Sequence, residues 1–73
     1  MDKEVEMTVA RWESAGIDLS AYTVAEMAIA IVVGYSLAYV SINGYDLFDL
    51  SEEDMDKFDE VVQILADLGV GEE

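Results

Sequence analysis

Carboxylates are the only chemically capable side chains this chain carries in quantity. It has 17 Asp and Glu, three Lys and Arg, and neither His nor Cys. Serines stand at positions 14, 20, 36, 41 and 51, but no histidine or cysteine can build a conventional triad or dyad around them. Lys3 lies near the chain start and Lys57 on a charged helical stretch, so neither position suggests a depressed amine pKa. Paired carboxylates occur throughout and single out no acid–base pair. Glu26 precedes a long apolar stretch and could be a partly buried acid, but a helix-capping role with Thr23 is favoured. Gly69 and Gly71 lack the strand, lysine and hydroxyl that a phosphate loop needs. The expectation is a protein without enzymatic activity.

Metal chemistry is equally thin. Without His or Cys, a transition-metal site would have to be all-carboxylate. The acidic stretch 46–53 fails the calcium-loop pattern D-x-[DN]-x-[DN]-G and has no turn glycine. Divalent cations would gather diffusely around the charge. No dedicated metal site and no cofactor is expected.

What remains is the charge itself. The formal net charge is −14, yet 53% of the residues are hydrophobic. Disordered acidic tails lack apolar residues to bury, so this composition describes one folded domain, residues 1–73. Such a charge opposes compaction by self-repulsion, so its reason should lie outside the fold. A basic partner surface and a high-salt environment are the two candidates. Direct binding of DNA or RNA is disfavoured by like charge.

The charge must be held by helices whose signals differ in clarity. Ser51 and Asp54 resemble a capping box, Glu52 to Asp54 load the first turn, and Gly69 offers a C-cap. Between them Met55, Phe58, Val61, Val62, Leu65 and Leu68 form one apolar stripe. Thr23 and Glu26 give a second capping box, opening a helix apolar almost all round through Val33. Val5, Val9 and Trp12 have helical spacing, whereas Val5, Met7 and Val9 would alternate as a strand. Helix to about Ala15, ended by Gly16, is favoured there.

The segment after Gly34 has two readings. A helix could continue to Ile42 and end at Asn43-Gly44. Alternatively, Asn43-Gly44 makes a type I′ turn in a β-hairpin over 37–48. Period two then places Ala38, Val40, Ile42, Tyr45 and Leu47 on one face. Ser41 and Asp46 fall on the other face, with Tyr39 and Phe48. The hairpin is preferred, giving a small α+β fold with two or three helices packed on it; an all-α three-helix domain is the alternative. The uncharged run from Met27 to Tyr45 is 19 residues long, enough for a membrane span. Ser36, Ser41, Asn43 and Gly44 interrupt it, and no Lys or Arg flanks it, so a membrane role is not expected. The N-terminus does not resemble a signal peptide, and a cytoplasmic location is expected.

In size, acidity, lack of cysteine and lack of a catalytic set, the chain resembles small acidic phage-encoded inhibitors of host systems. These include anti-CRISPR and DNA-mimic proteins. The resemblance is compositional and implies stoichiometric, non-catalytic binding to a basic host-protein surface that otherwise takes nucleic acid, in the host cytoplasm. Candidate contact residues are Asp46, Asp49, Glu52, Glu53, Asp56, Asp59 and Glu60, with Tyr39, Tyr45 and Phe48 as aromatic anchors, then Trp12 and Tyr22. The alternative is a structural or adaptor homodimer joined through the uncharged middle, of halophilic origin in one version. Acyl carrier proteins share the size and acidity, but their Asp-Ser-Leu attachment motif is absent. Asp18-Leu19-Ser20 has another order and precedes the helix start.

Overall fold

The computed structural model describes residues 2–43 and 50–70, and every regular element among them is helical. In chain order these are α1 (Asp2–Ser14), a 3₁₀ turn (Leu19–Ala21), α2 (Val24–Val33), α3 (Leu37–Asn43) and α4 (Glu52–Leu68). Helix α2 lies at the centre, packed mainly on α4 and secondarily on α3, while α1 packs on α4. The core follows from that arrangement. Val5 and Val9 come from α1, Met27 to Ala30 from α2, Leu37 and Val40 from α3, and Phe58, Val61 and Leu65 from α4. No polar or charged side chain is buried among the described residues.

The end signals explain where the helices start and stop. Thr23 and Glu26 form a reciprocal capping box. Glu26 N–H donates to Thr23 Oγ1 at 3.1 Å and Thr23 N–H donates to Glu26 Oε1 at 2.9 Å. Glu26 is therefore a capping residue, and two otherwise orphaned donors are satisfied. Ser51 supplies its half of the box to α4, accepting from Asp54 N–H at 3.1 Å. Gly34 (φ 78°) and Gly69 (φ 74°) close α2 and α4 in the left-handed region, where a Cβ is unfavourable. The favoured N-terminal helix is present, and Gly16 follows its end at φ 85°.

The β-hairpin is not. Residues 37–42, its expected first strand, and Asn43, expected in its turn, are α-helical, so the α+β fold class is incorrect and the helical alternative applies, with four α-helices among the described residues rather than three. Two local features decide this. Gly34 stops α2 with its N–H on Ala30 O at 2.9 Å. Ser36 then starts a new helix: its Oγ accepts from Tyr39 N–H and its carbonyl from Val40 N–H, both at 3.1 Å. Leu37 and Val40, three residues apart, turn into the core. The other turn residue, Gly44, and the expected second strand at 45–48 lie outside the described residues. The break at Gly34 also divides the uncharged run, and no helix among the described residues is long and apolar enough to cross a membrane.

Candidate partner-binding face

Helix α4 sorts its residues by face. Phe58, Val61 and Leu65 are buried, with Asp54, Met55, Val62 and Ile64 half-buried around them. Leu68, expected in the stripe, is instead exposed. Glu52, Glu53, Asp56, Asp59, Glu60 and Asp67 are all exposed. At about 100° per residue these six fall within a sector of roughly 120° directly opposite the buried residues. The core thus fixes the orientation of the acidic sector. Packing of Phe58, Val61 and Leu65 against α2 leaves the carboxylates nowhere to point but solvent.

Within this sector Asp56 occupies a singular position. Glu52 and Glu53 precede it by four and three residues, and Asp59 and Glu60 follow it by three and four. Each is a neighbour on the helix surface, at about 5–6 Å between Cβ atoms. Glu52, Glu53, Asp56, Asp59 and Glu60 occupy about 12 Å of helix axis, or one charge per ~2.4 Å. Duplex DNA carries one per ~1.7 Å. The α4 row therefore approaches the linear charge density of a duplex over roughly two turns.

Other expected contact residues fare differently. Tyr39 is half exposed and its ring lies 4.6 Å from that of Tyr35, centroid to centroid. Tyr22 and Trp12 are half-buried against the core. Asp46, Asp49, Tyr45 and Phe48 lie outside the described residues. On α3, Leu37 and Val40 face inward, which turns Ala38, Tyr39 and Ile42 outward; Ile42 is 82% exposed.

The loop ahead of α2 is built around Asp18, whose Oδ1 accepts from Ser20 Oγ at 2.6 Å and from Ser20 N–H at 3.1 Å. The Ser20 hydroxyl and then its N–H hold the Asp18 carboxyl below its ordinary value of 3.8. Asp18 is thus the cap of the 3₁₀ turn, and Ser20 donates to it through both hydroxyl and N–H. No group of acidic residues among those described could hold a metal ion.

One feature escaped the sequence reading. A cleft of about 340 Å³ opens between α1, the end of α2 and α4, lined by Arg11, Trp12, Tyr35 and Lys57 among others. The scarcity of basic residues was the available signal, but only the packing of α1 on α4 brings these two together. In comparisons with protein families, characterised proteins and solved structures, the chain matches none. The fold and surface define a small, strongly acidic helical protein, and its function must be argued from its own geometry.

Proposed function

We propose that this chain is a non-enzymatic protein-binding inhibitor. In this reading the exposed face of α4 docks on a basic surface of a host protein that otherwise holds nucleic acid. The supporting observation is the position of Asp56 among four carboxylates at helix-neighbour spacing. Like-charge neighbours destabilise a helix, and Glu52, Glu53, Asp56, Asp59 and Glu60 all face solvent. The repulsion centred on Asp56 weakens the isolated helix, and a facing array of cations on a partner would relieve it. Charge complementarity would speed encounter and set orientation. Tyr39 supplies an exposed aromatic for the contact. The test neutralises Asp56, Asp59 and Glu60 together. The variant should fold and lose a partner that the parent chain binds and that duplex DNA displaces. Unchanged affinity would remove α4 from the binding surface.

A second reading, a homodimeric structural or adaptor protein, is favoured by a different observation. Ile42 is almost fully exposed beside Tyr39 on the outer side of α3, within the uncharged stretch where two chains of charge −14 could approach with least repulsion. Light scattering tests it: a dimer that Ile42→Lys converts to monomer supports this reading, and a strict monomer ends it. The two readings share Tyr39 on α3 and differ in the rest of the contact, which is the acidic face of α4 in the first and Ile42 in the second.

A further inference from the structure

We propose that the cleft between α1, α2 and α4 binds a planar aromatic ring carrying an anionic group, of the mononucleotide class. Three observations carry the proposal. The first is size: about 340 Å³ lies within the ~300–1,000 Å³ typical of small-molecule sites. The second is charge. Two of the three basic residues in the chain, Arg11 and Lys57, line this one cleft. In a chain with 17 carboxylates both would be expected to hold ion pairs, yet among the described residues neither makes one. Glu4 is the one acid in the lining, beside two cations; Glu53, Asp54 and Glu60 neighbour Lys57 on α4 outside the lining, so the cleft gathers two of the three cations within an otherwise acidic surface. The third is ring chemistry. Trp12 and Tyr35 line the same cleft, and aromatic faces stack on a base while Arg and Lys take its phosphate. A simple cation would find two like charges here, and a fully apolar ligand would leave both of them unused.

The test uses equilibrium dialysis of the full chain against adenosine monophosphate, adenosine and inorganic phosphate, at about 0.15 M salt to damp the long-range field. Trp12 is the single tryptophan, so its emission reports occupancy of this cleft. Adenosine monophosphate should bind saturably and shift Trp12 emission, with adenosine and phosphate each at least about tenfold weaker, the worth of one charge-assisted or stacking contact. Arg11→Gln and Lys57→Gln should each weaken binding by about tenfold, again the worth of one charge-assisted contact. Lys3→Gln makes the same change in net charge at a residue outside the cleft lining and should leave binding unaltered. Equal binding of adenosine and its monophosphate would overturn the proposal, as would phosphate binding as tightly as the nucleotide. Equal weakening by Lys3→Gln would reduce the effect to the overall field and overturn it too. So would absence of saturation by about 10 mM, beyond even millimolar affinity. Both substituted side chains are exposed, and the comparison among ligands on the unaltered chain stands without any variant.

Discussion

Replacing Asp56 with Asn should stabilise this protein. Its carboxylate faces four others, Glu52, Glu53, Asp59 and Glu60, one helical turn to either side. At roughly 0.2–0.5 kcal/mol for each like-charge neighbour, removing one charge relieves about 0.8–2 kcal/mol at low ionic strength. Asn and Asp have similar helix propensities, Asp56 is exposed, and it lies beyond the first turn where the helix dipole rewards an acid. Little opposes the gain. For a domain of this size it corresponds to a rise in Tm of about 4–8 °C per kcal/mol. Salt gives the internal control. The screening length falls from about 10 Å at 0.1 M to about 3 Å at 1 M, below the ~5–6 Å separation of the neighbours. Thermal unfolding followed by circular dichroism, in low and molar salt, should show a gain that shrinks as salt rises. A destabilised variant, or a gain equal at both salts, would refute the argument that the α4 face is held together against its own repulsion.

Other substitutions test the supports of that face. Thr23→Ala removes the Oγ1 that accepts from Glu26 N–H and leaves that donor stranded; it should cost about 0.5–2 kcal/mol in urea unfolding. Leu65 is fully buried between α4 and its neighbours, and Leu65→Ala should cost about 2–5 kcal/mol, enough to unfold much of a marginal small domain. Asp18 should titrate by NMR below its ordinary 3.8, and Ser20→Ala should raise its midpoint towards that value. Because the folded-state pKa is the lower one, the Asp18 contribution is present above about 3.8 and is lost as pH falls through the folded pKa.

The fold was legible where end signals and apolar period agreed. Thr23 with Glu26, Ser51 with Asp54, and Gly69 marked helix ends directly, because orphaned N–H and C=O groups need partners that few residue types supply. Residues 37–43 misled because Ala38, Val40 and Ile42 satisfy period two as readily as Leu37 and Val40 satisfy a helical turn, and Asn43-Gly44 added a hairpin signal. Tertiary burial settled it: α2 offers Leu37 and Val40 a surface, and Ser36 supplies the cap. The acidic sector of α4 was visible from periodicity alone. The cleft holding Arg11 and Lys57 was not, because it depends on how α1 meets α4, and no local pattern encodes that crossing.

Displacement by nucleic acid tests the central claim most directly. A nuclease-treated host extract passed over the immobilised chain should yield a basic protein that duplex DNA releases, because both ligands present dense negative charge to one surface. The variant with Asp56, Asp59 and Glu60 neutralised should fail to retain that protein. Retention by the variant at unchanged affinity, or a partner that DNA does not displace, would contradict the account.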